Sequence, residues 1–267
     1  PDTGQTLTFA ITNGNTNNAF SINNNGQISV ASTLNFNTQA VYNLTIEVSD
    51  NGNPIQTTSN SFTINVLDAI TPSDFPYQVN FQDPNTVPPS GWIRDFGQAY
   101  GARTGAHQGA GFTYGWVSTD GTTPLNLSVG GTAGNGRNRN AAATGTAIID
   151  ATLMHMQYNN VPNGTNGTPQ EGFWKIDLPN GVYDVTVRVG DLAPETNAAT
   201  NHLINVENVT NVVSYTPALN SVGFLSGTKI VRVSDGNLLI TATGGFNTKI
   251  ISAIIAQHTN QAPTIAN

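Results

Sequence analysis

Apolar and polar residues alternate at every second position along most of this chain, the period of a strand with one face buried. A sustained three-to-four period is nearly absent. Leu7-Thr8-Phe9-Ala10-Ile11, Tyr42-Asn43-Leu44-Thr45-Ile46-Glu47-Val48 and Val182-Tyr183-Asp184-Val185-Thr186-Val187-Arg188-Val189 are its plainest instances. A chain patterned this way cannot bury its apolar residues as helices, so the fold class is all-β.

The strands fall into two groups. In the first part Phe20-Ser21-Ile22, Gln27-Ile28-Ser29-Val30 and Ser61-Phe62-Thr63-Ile64-Asn65-Val66 join those above, separated by turn clusters such as Asp50-Asn51-Gly52-Asn53-Pro54. This spacing predicts a small β-sandwich of about 70 residues. Pro72 and Pro76 then deny ladder hydrogen bonds to any continuing strand. The reading is a first domain over 1–68, a linker over 69–75, a second domain over 76–257 and a linker over 258–267 leading to a following domain. The second domain opens on Tyr77-Gln78-Val79-Asn80-Phe81 and passes through a Gly/Thr/Asn-rich stretch from Gly97 to Gly145. Clean strands return over 172–178, 181–189, 228–233, 237–242 and 248–255. Leu178-Pro179-Asn180-Gly181 predicts a hairpin turn, its Asn-Gly pair supplying the positive φ values such turns need. The long middle stretch is where functional loops are expected. Both ends read as cut, which makes neighbouring domains of a longer parent chain expected partners.

Composition narrows the chemistry. Charged residues are 9% of the chain, and 35 Asn and 35 Thr supply amides and hydroxyls in their place. The net charge of −7 and the lack of a basic run exclude nucleic acid and anionic membrane surfaces as partners. No apolar run approaches the ~18 residues of a membrane span, so no membrane insertion is expected. Zero cysteines exclude disulfides, thiol catalysis and thiolate metal sites. Gly-x-Ser-x-Gly, Gly-Lys-Ser/Thr and His-Glu-x-x-His motifs are absent, and no opposed carboxylate pair is legible, so the chain reads as no enzyme, at most an accessory module of one.

In the first domain, Asp2-Thr3-Gly4, Leu34-Asn35-Phe36-Asn37, the run from Tyr42 to Val48, Val48-Ser49-Asp50-Asn51-Gly52 and Val66-Leu67-Asp68 together resemble the bacterial cadherin-like repeat. The resemblance implies an immunoglobulin-like sandwich and calcium held by acidic residues at the domain ends, with Asp2, Asp50 and Asp68 as ligands. Amides stand at Asn35 and Asn37 where the family has carboxylates, and an amide oxygen brings no charge to a hard cation. Turn-capping Asp and Asn residues would show the same pattern.

In the second domain, Trp92-Ile93-Arg94-Asp95-Phe96-Gly97-Gln98-Ala99-Tyr100, Phe112-Thr113-Tyr114-Gly115-Trp116, Arg137-Asn138-Arg139-Asn140, Val189-Gly190-Asp191 and Gly244-Gly245-Phe246-Asn247 together resemble malectin-like, galactose-binding-like modules. The resemblance covers 76–257 and implies a jelly-roll sandwich that binds a glycan. A sugar presents an apolar face and a ring of hydroxyls, so its site needs an aromatic platform beside fixed polar groups. Tyr100, Tyr114 and Trp116 are the platform candidates, Trp92 and Trp174 being assigned to the core. Asn247 is the hydroxyl-reading amide. The forks of Arg137 and Arg139 suit an acidic sugar or else pin their loop to Asp150 or another nearby carboxylate. Asp191 and His202 either contact ligand or brace a loop as a pair. His155, among alternating apolar residues, reads as a structural histidine facing either the sandwich or the loops. The expected whole is a secreted or surface-displayed bacterial protein fragment that binds polysaccharide through its second domain. The competing expectation is a calcium-stiffened adhesive stalk that binds no sugar.

Overall fold

The computed structural model describes residues 4–34, 39–66, 75–129, 134–140, 142–161 and 166–258. It is all-β apart from one six-residue helix and short 3-10 turns among these residues. Contacts divide the chain into two compact units, Pro1–Ala69 and Ile70–Asn267.

The first unit holds β1 (Leu7–Asn13), β2 (Phe20–Ile22), β3 (Ile28–Val30), β4 (Val41–Asp50) and β5 (Thr57–Asn65). β1, β4 and β5 form one antiparallel sheet and β2 pairs with β3. In β4 the alternation becomes burial: Tyr42, Leu44 and Ile46 are buried while Asn43 is exposed. Tyr42 meets Phe20 edge-to-face at 5.0 Å, and Ile11, Ile28 and Ile64 pack around that pair.

The second unit contains β6 (Tyr77–Phe81), β7 (Ile93–Asp95), β8 (Gly101–Ala102), β9 (Thr113–Val117), β10 (Gly136–Asn138), α1 (Thr146–Ala151), β11 (Thr152–His155), β12 (Phe173–Asp177), β13 (Gly181–Asp191), β14 (His202–Val206), β15 (Val209–Tyr215), β16 (Gly223–Val233), β17 (Asn237–Thr241) and β18 (Lys249–Gln257). One sheet runs β10-β11-β18-β13-β16, with β6 beside β18 and β7 beside β6. The other runs β15-β14-β17-β12-β9-β8. Val79, Val185, Val187 and Ile250 from the first sheet share one core with Trp116, Trp174, Ile176 and Ile240 from the second. Phe81 stands edge-on to Trp174 at 5.4 Å, a geometry contributing about 0.5–1.5 kcal/mol beyond area burial.

Two expectations are corrected here. The turn at Leu178-Pro179-Asn180-Gly181 closes no hairpin. β12 pairs with β9 and β17, β13 pairs with β16 and β18, and the turn carries the chain from one sheet to the other. Neither Asn180 nor Gly181 has a positive φ; the Asn180 side chain instead accepts the backbone N–H of Gly236 at 2.8 Å. The Gly-rich middle is also not all loop, since it supplies β9 inside a sheet. Gly115 at its centre has φ +135°, and a Cβ there would stand 2.6 Å from the Gln98 carbonyl oxygen and 2.1 Å from Arg103 Nη2. Glycine is required for that close approach rather than for a loop.

Candidate functional site

Four neighbouring strands of the first sheet, β10, β11, β18 and β13, end side by side. Beyond their ends lies an open cleft of about 610 Å³. Arg137 and Arg139 come from β10 and the residue after it, His155 from the end of β11, Lys249 from the start of β18 and Asp191 from the end of β13. His155 and Lys249 are register partners, as are Arg137 and Leu153. Strand alternation decides which side they occupy. Met154 and Met156 enter the core between the sheets, whereas Leu153 packs under α1 with Ile149 and Ile251 on the outer face, the side to which His155 belongs.

A charge network fixes the floor. Arg139 donates to Asp191 with both Nε, at 2.8 Å, and Nη2, at 2.7 Å. Lys249 Nζ lies 3.1 Å from the same carboxylate and donates to Glu195 at 2.8 Å. Glu195 also accepts the N–H groups of Thr196 and Asn197, and Asp191 that of Ala193. Burial would raise both carboxyls, yet the Arg139 and Lys249 hydrogen bonds and charges hold Asp191 below the usual carboxylate range, and Lys249 does the same for Glu195. Both acids are therefore ionised and engaged, so neither suits proton donation to a leaving group.

Three groups in the cleft have spare capacity. Asn247 is 5% exposed and adopts φ +54°, a left-handed conformation asparagine tolerates. Its Nδ2 donates to Thr200 at 3.1 Å, while its Oδ1 is buried with no partner among the described residues. His155 Nδ1 is likewise buried and unpartnered among them. Burial, reinforced by Lys249 and both arginines, pushes its pKa well below the usual histidine value, so the ring is neutral. Arg137 gives Nη1 to the carbonyls of Gly134 and Gly136, at 2.8 and 2.6 Å, and Nη2 to the Tyr158 hydroxyl at 2.8 Å. It also lies 5.2 Å from the Tyr158 ring centroid.

The sequence candidates thus divide. Arg137, Arg139, Asp191 and Asn247 meet in one cleft. His202 stands behind it, 1% exposed, its Nδ1 accepting the Lys249 backbone N–H at 3.3 Å; neither this histidine nor Asp191 braces the other. Asp150 pairs with Arg188, and the nearby carboxylate that pins the arginine loop is Asp191, held by Arg139. Trp116 and Tyr114 are corrected outright, being 0% and 1% exposed in the core. An indole can be buried when its N–H finds an acceptor, and Asp95 supplies one: its carboxylate takes Trp116 Nε1 at 2.7 Å and Trp174 Nε1 at 2.9 Å. Tyr114 donates to the Arg94 carbonyl at 2.8 Å beneath the Arg103 guanidinium. Tyr100 lies apart from the cleft, bonded to Asp177 and beside Lys175. The cleft's apolar lining comes instead from Val161, Ala193 and Pro194. His155, corrected from a satisfied structural residue, and Tyr158, Glu195 and Lys249 complete the site. The one sequence signal among them was the position of Lys249, two residues after Asn247.

In the first unit, Asp50 accepts the N–H groups of Gly52 and Gln56 at 3.1 and 2.9 Å, bonds that hold its carboxyl below the usual range. Asp2 and Asp68 lie outside the described residues, as do Asn35 and Asn37. Among the described residues no three His, Asp or Glu side chains group as a metal site, and no helix is long and apolar enough to cross a membrane.

The cadherin domain family model matches residues 1–67. No curated protein matches the chain. Among solved structures, a calcium-binding mutant of Bacteroides uniformis β-glucuronidase 2 aligns with 89% of this chain at 12% identity and a TM-score of 0.41, and the chain spans only 24% of that protein. A Xyl-CBM35 module in complex with a glucuronic acid-containing disaccharide aligns over 53% of this chain and 98% of its own, at 19% identity and a TM-score of 0.27. An exo-β-1,3-galactanase from Phanerochaete chrysosporium aligns over 88% and 61%, at 11% identity and a TM-score of 0.25. At such TM-scores these likenesses bear on neither the fold nor the site.

Proposed function

We propose that the second unit is a non-catalytic, malectin-like carbohydrate-binding module whose ligand enters the cleft beyond β10, β11, β18 and β13. The first unit is then a cadherin-like spacer within a larger secreted or surface-displayed protein. Asn247 carries the reading. A buried carbonyl oxygen without a donor costs about 1–3 kcal/mol, a cost that a ligand hydroxyl removes on binding. Around it stand fixed polar groups held by ion pairs and a few apolar side chains, the mixture a small polyhydroxylated ligand requires. Both carboxylates of the cleft are engaged by Lys249, which supports the non-catalytic reading.

The test is a glycan-array and polysaccharide-retention screen of the whole chain, repeated with Asn247→Gly. Glycine accepts the left-handed backbone while removing the amide, so the fold is retained and affinity should fall about tenfold. Failure of the wild type to retain any glycan, or unchanged affinity in the variant, would overturn the reading.

A further inference from the structure

The two arginines that look alike in sequence have opposite roles in the cleft. Arg139 is consumed by Asp191. Arg137 is held only by carbonyls and a tyrosine hydroxyl, with no carboxylate within 4 Å among the described residues. Of its five N–H donors, Nε–H and one on Nη2 have no acceptor among the described residues. Lys249 and Arg139 neutralise Asp191 and Glu195, so three cations face two anions and the cleft retains one positive charge in a chain of net charge −7. Three of the nine basic residues are gathered here. Asp191 already accepts three hydrogen bonds and an ion-pair contact from Lys249, and Glu195 accepts three hydrogen bonds, which leaves the cleft rich in donors and poor in free anionic acceptors.

We propose that the cleft selects an anionic saccharide, with Arg137 clasping a carboxylate or sulfate group on the sugar while Asn247 accepts a hydroxyl. This rests on the carbohydrate reading and goes beyond it by naming the ligand class and assigning its recognition to Arg137, not Arg139. A planar fork lying over an aromatic ring and partly withdrawn from water is preorganised for a two-oxygen anion. The ligand supplies the counter-charge the protein omits.

Titration calorimetry on the whole chain with two matched polymer pairs tests this: polygalacturonate against its methyl ester, and a sulfated galactan against its desulfated form. The first pair reports a carboxylate ligand and the second a sulfate. In at least one pair the acidic member should bind about tenfold or more tightly, with affinity falling as salt rises. Arg137→Gln should abolish that preference by bringing the affinity for the acidic member down to that of the neutral one, and Arg137→Lys should restore part of it. Equal binding of both members in each pair, or an Arg137→Gln variant that keeps the preference, would overturn the proposal. The comparison within each pair uses the wild type, so it stands even where a variant misfolds. Equal binding that Asn247→Gly abolishes would leave the carbohydrate reading standing and remove only the anionic preference. Absence of binding to all four polymers overturns the anionic proposal, and the wider glycan screen then decides the carbohydrate reading.

Discussion

Replacing Lys249 by methionine keeps most of the side-chain volume and removes one buried charge. In the wild type its ammonium is 2.8 Å from Glu195 and 3.1 Å from Asp191, with all three side chains only 5–7% exposed. Asp191 keeps Arg139 in the variant, but Glu195 keeps no cation, only two backbone N–H groups and the Thr200 side chain. A buried carboxylate stripped of its cation destabilises a fold by about 3–5 kcal/mol. Urea unfolding of the whole chain, followed by tryptophan fluorescence, isolates the second unit, because Trp92, Trp116 and Trp174 all lie within it. With a slope of about 2–3 kcal/mol/M for a unit this size, the midpoint should fall by about 1–2 M at pH 7. The pH dependence provides an independent check. The folded pKa values of Glu195 and Asp191 lie below their unfolded values, so their contribution is present above those unfolded values and is lost as the pH falls through the folded ones. In Lys249→Met the Glu195 carboxyl rises instead, and protonating it relieves the penalty, so the deficit against wild type should shrink from pH 7 to pH 4. Adding Glu195→Gln should recover most of the loss at pH 7. A deficit below about 1 kcal/mol, or one independent of pH, would refute the assignment of Lys249 as the counter-ion of buried carboxylates.

Three further outcomes follow from the same structure. Trp116→Ala should cost about 3–5 kcal/mol by opening the core and leaving Asp95 without one of its indole donors, seen as a large drop in melting temperature. A stable variant with weakened glycan binding would return Trp116 to the surface. Burial pushes the His202 pKa down to about 4, so the unfolded chain binds the extra proton between pH 6.5 and 4. Stability should fall by up to about 3 kcal/mol across that window, and His202→Gln should flatten the slope in urea titrations. Chelation should lower the melting temperature of the first unit if Asp2, Asp50 and Asp68 hold calcium; an unmoved transition and no metal by elemental analysis would leave Asp50 as a cap of its own turn.

The strands were legible because alternation is a local property that burial follows directly. Tyr42, Leu44 and Ile46 are inside β4, and Tyr183, Val185, Val187 and Val189 are inside β13. β9 escaped notice because glycine carries no side chain with which to mark a face, and its reason for being there, the Gln98 carbonyl and the Arg103 guanidinium, comes from elsewhere in the sequence. Tryptophan in a glycine-rich stretch resembled an exposed platform for a similar reason. Only the fold brings Asp95 to the Trp116 N–H and makes burial tolerable.

The site shows the same division. Arg137, Arg139, Asp191 and Asn247 were candidates because they carry guanidinium, carboxylate and amide groups within motifs that resemble malectin-like modules. The sequence could not distinguish one arginine from the other, since a charge becomes available or spent only when its partner is placed, and the partner of Arg139 lies 52 residues away. The period-two pattern by itself determined an all-β chain and, in strands such as β4 and β13, which residues turn inward. Tertiary structure alone decided which strands pair and which face one another across the core, because consecutive strands bury the same residues in either arrangement. It also decided which polar groups find partners and which, such as Asn247 Oδ1 and His155 Nδ1, have none among the described residues.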